Sequence, residues 1–163
     1  MAAERAAGAA IVSDPGEDLR ARSRADYEIV RSVPLRWGDV DAFGHVNNAV
    51  HYSLMDTAIC GWLEEGLGAG IRSLDALSVV AETGCRYFRE LHFPDPLEIG
   101  IRVQRLGTSS VQYELGFFVE DQPVIAVAKF VHVYIDPLTR APSRIPEEVR
   151  SLLERTMARD AAR

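Results

Sequence analysis

The stretch Arg36-Trp37-Gly38-Asp39-Val40-Asp41-Ala42-Phe43-Gly44-His45-Val46-Asn47-Asn48 runs without a break into a segment of a different kind. From Asn48 to about Glu65, the apolar residues Val50, Leu54, Met55, Ala58, Ile59, Trp62 and Leu63 recur at helical spacing. Asn47 and Asn48 are both good helix caps, and Gly66, Gly68 and Gly70 end the run. Between His51 and Glu64 the only charge is Asp56, so the helix is expected to be covered on more than one side. Gly61 costs about 1 kcal/mol relative to Ala inside a helix, which predicts close packing against a sheet at that point.

The segments on either side of this helix read as strands. Upstream, Tyr27 to Trp37 is expected to be extended, and Pro34 places that strand at an edge or at a bulge. Downstream, Leu77–Leu91 looks extended, and Leu97, Ile99, Ile101 and Val103 alternate with Glu98, Gly100, Arg102 and Gln104. After a turn at Gly107-Thr108-Ser109, Val111, Tyr113, Leu115, Phe117 and Val119 alternate again, and Glu120 to Pro123 makes a second turn. Val124 to Ile135 is apolar on both faces and belongs inside the sheet. Pro146 to Ala158 reads as a terminal amphipathic helix with Pro146 in its first turn. The sum is an α+β domain, an antiparallel sheet wrapped around one long central helix. Residues 1–25, rich in Ala, Gly, Arg and acids, read as a flexible tail, and 26–163 as the domain.

Bulk properties narrow the function. A chain of 163 residues allows one ordinary domain, and a net charge of −6 speaks against a broad basic face for nucleic acid or a polybasic membrane anchor. No run approaches the ~18 apolar residues of a membrane-spanning helix. Cys60 and Cys85 form no CxxC pair, and His51, His92 and His132 lack metal-ligand spacing. Without an apolar leader at the acid-interrupted N-terminus, a cytoplasmic location is expected.

Chemistry gathers on the loop. A helix N-terminus offers unpaired N–H groups and a positive dipole end, which can hold a developing oxyanion. A carboxylate beside it could activate water or attack a carbonyl. The residues alone leave two readings for each side chain. Asp41 could be a turn-former, His45 a loop-fixing imidazole, Asp39 a loop or surface charge, and Asn47 and Asn48 caps rather than ligands.

Asp41-Ala42-Phe43-Gly44, followed by a long helix, resembles the hotdog-fold thioesterases of the 4-hydroxybenzoyl-CoA thioesterase-like group. Gly44-His45-Val46-Asn47-Asn48, with Tyr52 four residues on, resembles the acyl-ACP thioesterase branch of the same fold. The resemblance extends from about Tyr27 to the C-terminus. It implies that Asp41 is catalytic, as general base or nucleophile, and that His45 is catalytic or orienting. It further implies that Gly44, Val46, Asn47 and Asn48 form the oxyanion and substrate-binding turn. The acyl-ACP branch has asparagine where this chain has Phe43, so that branch's full constellation is absent. Arg89, Arg105 and Ser110 are the candidates for coenzyme A contact, because Leu106 to Ser110 carries no cation of its own. The implied protein is a cofactor-free, metal-free homodimer or homotetramer that hydrolyses an acyl-CoA, or an acyl-ACP. A hydratase/dehydratase and a non-catalytic acyl-CoA-binding protein are the alternatives on the same fold.

Overall fold

The computed structural model describes residues 18–160. In chain order these give β1 (Ile29–Ser32), α1 (Val50–Gly66), β2 (Leu77–Tyr87), β3 (Leu97–Leu106), β4 (Ser110–Val119), β5 (Ala126–Ile135) and α2 (Glu147–Asp160). The five strands form one antiparallel sheet in the order β1-β3-β4-β5-β2. The hairpins expected from the alternating runs are present, with Ile99 opposite Phe117 and Tyr113 opposite Phe130. β5 lies inside the sheet between β4 and β2.

Residues opposite one another share a face, so Ile99, Ile101, Leu115, Phe117 and Ala126 all point to the side on which α1 lies. Met55, Ala58 and Ile59 of α1 meet them and are fully buried, each large aliphatic side chain contributing about 2 kcal/mol of burial. Trp62 closes this core edge-on against Tyr113. On its other face α1 exposes Asp56, Thr57 and Glu64. One chain therefore covers a single side of the charge-poor helix, not the several expected. Gly61 also differs from expectation. A Cβ there would lie 3.0 Å from the Arg31 guanidinium at the sheet edge rather than against packed strands. The close approach occurs at Gly66, where a Cβ would come within 2.5 Å of Leu152 in α2.

The first strand is at the edge, as Pro34 requires, but it is much shorter than the expected span of residues 27–37. Val33 N–H still reaches the Leu97 carbonyl, and then Pro34 has no N–H to offer. Trp37–Asp39 turn into a short 3₁₀ helix instead.

Residues 1–17 of the expected tail lie outside the described residues; residues 18–25 are packed on the outer face of the sheet. Leu19 is buried there, and Arg22 pairs with Glu114 at 2.8 Å. Tyr27 follows, its ring lying over Gly100 of β3 and Gly116 of β4. A Cβ at these glycines would stand 2.5 Å and 2.6 Å from ring atoms of Tyr27.

Candidate active site

The loop before α1 is built by its own polar groups. Asp39, almost fully buried, accepts the Arg36 N–H at 2.7 Å and two bonds from the Arg36 guanidinium. That guanidinium and backbone bond hold its carboxyl below the usual carboxylate range. Asp39 is a loop anchor, in line with the local hydrogen-bonding reading of its sequence. Asp41 begins a tight turn. Its N–H donates to the His45 carbonyl, its own carbonyl accepts from Gly44 N–H, and Val40 bridges Val46. Gly44 sits at φ +89°, a left-handed conformation that glycine adopts without steric cost.

Within this turn the two oxygens of Asp41 differ. Oδ1 accepts Phe43 N–H at 2.8 Å, a local Asx bond, while Oδ2 lies 3.7 Å from Nδ1 of His45. The turn-forming reading and the chemical reading thus fall on different atoms of one carboxylate. The Phe43 ring, highly exposed, stacks over His45 at 6.2 Å.

The helix start corrects the expected set of oxyanion donors. Val46 N–H donates to the Leu91 carbonyl at 2.7 Å, Asn47 N–H to the Asp39 carbonyl at 2.9 Å, and Gly44 N–H to Asp41 at 3.1 Å. Of the four residues given to the oxyanion and substrate-binding turn, three therefore have their backbone N–H already paired. Asn48 N–H forms no hydrogen bond among the described residues. Asn47 closes the turn that leads into α1: its Oδ1 accepts Ala49 N–H at 2.9 Å and its carbonyl accepts Val50 N–H. Tyr87 of β2 fixes the next peptide by donating its hydroxyl to the Asn48 carbonyl at 3.1 Å.

These groups border a cavity of about 170 Å³ lined by Asp41, His45, Val46, Asn48, His51, Tyr87, Arg89, Glu90 and Leu91. The structure thus brings Asp41, His45, Asn48 and Arg89 to one place, while Gly44 and Asn47 shape the turn. Arg105 and Ser110 are elsewhere, at the β3–β4 hairpin. Phe117, at the cavity end of β4, is seven steps along the strand from Ser110, about 23 Å at strand rise. A second cavity of about 490 Å³ lies beside that hairpin, lined by Thr108, Arg144, Glu147 and Arg150 among others. Arg150 donates to the Gly107 and Thr108 carbonyls, so α2 brings a cation to a turn that has none of its own.

Four cavity residues, His51, Tyr87, Glu90 and Leu91, were not singled out for chemistry by sequence. His51 has no motif spacing, and its only signal is its place four residues after Asn47, at the helix start. Tyr87 reaches the site from a strand 39 residues beyond Asn48, which no local pattern reports. Among the described residues no group of three His, Cys, Asp or Glu side chains is placed to hold a metal, and no helix is long and apolar enough to cross a membrane.

A curved antiparallel sheet holding one long helix, with its cavity at the helix N-terminus, is the hotdog arrangement used by thioesterases. Residues 35–153 match the thioesterase-like superfamily, and the chain belongs to that family. It is 31% identical over 137 residues to a 1,4-dihydroxy-2-naphthoyl-CoA hydrolase of Synechococcus elongatus, covering 81% of this chain and 98% of that one. A solved protein of Pseudomonas aeruginosa is 40% identical and superposes with a TM-score of 0.77, over 82% of this chain and 94% of the other. A Thermus thermophilus thioesterase, solved in complex with coenzyme A and zinc, is 26% identical with a TM-score of 0.70, over 82% and 96% of the two chains. The chain is a hotdog-fold thioesterase.

Proposed function

We propose that this thioesterase hydrolyses an acyl-CoA, with Asp41 driving attack on the thioester carbonyl and Asn48 N–H receiving the oxyanion. The observation that carries the reading is that Asp41 and Asn48, whose N–H is unengaged, border the same cavity at the start of α1. The Asx bond from Phe43 holds the carboxylate in place, and the helix dipole adds a favourable field for negative charge at Asn48. His45 lies close enough to Asp41 to orient it or the substrate. Coenzyme A as the carrier is supported by the naphthoyl-CoA hydrolase relative and by the coenzyme-bound structural relative.

Coenzyme A carries its thiol and its phosphates at opposite ends of a long pantetheine arm. Arg89 is suited to the thiol end, at the cavity. Arg105 and Ser110, with Arg144 and Arg150 nearby, suit the phosphate end, in one copy or across two. The working unit is a homodimer or a homotetramer, and two features support association. β2 is an eleven-residue edge strand with Leu77, Val80 and Tyr87 exposed, and the outer side of α1 is uncovered by its own chain. Sedimentation of the purified chain tests that part.

Free-thiol release across acyl-CoAs of varied length and aromaticity, with wild type and Asp41→Asn, tests the activity. Hydrolysis by wild type and its loss in the variant are the expected results. A wild type that cleaves no thioester in a broad panel overturns the reading. Hydration of a crotonyl thioester without thiol release would transfer the site to hydratase chemistry.

A further inference from the structure

The same cavity contains a second imidazole. His51 is 3% exposed and stands one turn into α1, with Nδ1 3.2 Å from the Asn47 carbonyl oxygen. A carbonyl only accepts, so Nδ1 carries the ring's hydrogen whenever this bond is made. Burial pushes the imidazole's pKa down from its ordinary value, with the Asn47 bond partly opposing, and so favours the neutral ring. A neutral ring with hydrogen on Nδ1 has a bare Nε2. No described residue donates to that nitrogen. Tyr87 meets the ring at 5.0 Å and 89°, and Phe117 at 5.3 Å, which fixes its plane. His51 lines the cavity with Asp41 and Asn48.

We propose that His51 is a positioning residue for the hydrolytic water: Nε2 of His51 and Oδ2 of Asp41 accept the two hydrogens of one water molecule, whose lone pair then faces the thioester carbonyl. A water with both hydrogens held has only its lone pairs left for attack, and Asp41 and His51 line the same cavity. The oxygen of that water bonds to the carbonyl carbon while the hydrogen held by Asp41 moves to Oδ2. The oxyanion forms at Asn48 N–H. Its collapse breaks the C–S bond, and the proton on Asp41 passes to the departing thiolate, giving the free thiol. The second water hydrogen leaves with the product acid and ionises to solvent. His51 ends as it began, and Asp41 acts through water rather than as the nucleophile.

The inference rests on the thioesterase reading and separates from it by experiment. With an acyl-CoA that wild type hydrolyses, His51→Leu is expected to lower kcat about 100-fold with KM little changed. His51→Gln, which keeps an acceptor oxygen, should recover part of that loss at similar melting temperature. A single turnover in ¹⁸O-water should label the released acid and leave Asp41 unlabelled. Nitrogen-15 spectra at neutral pH should show His51 protonated on Nδ1, a readout that needs no activity. Wild-type kcat in a folded His51→Leu, a hydrogen on Nε2, or label in Asp41 overturns the proposal while leaving the thioesterase intact. If His51→Leu does not fold, His51→Gln and the isotope experiment decide. A wild type without any hydrolysis removes both readings together.

Discussion

Glu114 on the outer face of the sheet and Asp41 in the loop before α1 are both carboxylates set among hydrogen-bond donors. Glu114 accepts from Arg22 at 2.8 and 3.2 Å, from Tyr27 at 3.1 Å, from Arg102 at 3.3 Å and from Gln104 at 2.7 Å. Every direction from which a ligand could approach is filled by side chains of the N-terminal arm and the adjacent strand. The Tyr27 hydroxyl is pushed up by burial and by this carboxylate, so it remains a donor. Asp41 has one backbone partner on Oδ1, and its second oxygen is only 3.7 Å from an imidazole. A carboxylate that holds the fold is in this way distinct from one that can react. Burial does not decide it; the number of unengaged lone pairs beside an open cavity does.

Removing the two acids in turn separates their roles most directly. Asp41→Asn is expected to lower thiol release at least about 100-fold. Its melting temperature should stay close to that of wild type, because the amide oxygen still accepts Phe43 N–H. A loss of stability as large as the loss of rate would erase the distinction. Glu114→Ala is the converse. It leaves Arg22 and Arg102 facing each other with little solvent and should cost about 3 kcal/mol in urea unfolding. The folded fraction should keep wild-type kcat.

Asp39 sharpens the contrast through pH. Its folded pKa lies below the ordinary 3.8, so its contribution to stability is full above that value and is lost as pH falls through the depressed one. Melting curves should show an acid-side decline that is shallower in Asp39→Asn. An identical decline in both proteins would remove Asp39 from the cause. The smallest effect belongs to Tyr27→Phe, which deletes one bond to Glu114 while keeping the ring. About 1 kcal/mol of stability and no change in turnover are expected, by the same two assays.

The elements legible in the sequence were those whose cause is local. Leu97–Val103 and Val111–Val119 declare their buried face by alternation, and Val50–Leu63 declares a helix by its spacing. The Asp41–Gly44 motif located the cavity for the same reason, since its turn is closed by residues within five positions. What was hidden depends on distant partners. Val46 N–H is taken by Leu91, 45 residues on, so a donor that looks free in the loop is occupied in the fold. The unoccupied Nε2 of His51 follows from Asn47 just before its helix, but its place in the cavity needs Tyr87 and Phe117 from two strands. Residues 18–25 look like tail because their anchors, Glu114 above all, are some ninety positions away. The long first strand failed for the opposite reason. One local residue, Pro34, outweighed an extended pattern by withholding a single N–H.

The ring of Tyr27 across Gly100 and Gly116 has a consequence for how this chain can vary. Either glycine changed alone to alanine puts a methyl group into the ring, and the ring lost alone leaves two bare strands open to water. Neither glycine can take a side chain while an aromatic ring stays at position 27. A protein with side chains at 100 and 116 must have surrendered the aromatic at 27, and with it the ordered arm that carries Leu19 and Arg22 onto the sheet. Substitutions at 27, 100 and 116 are therefore energetically coupled, and a side chain gained at either glycine calls for a smaller residue at 27.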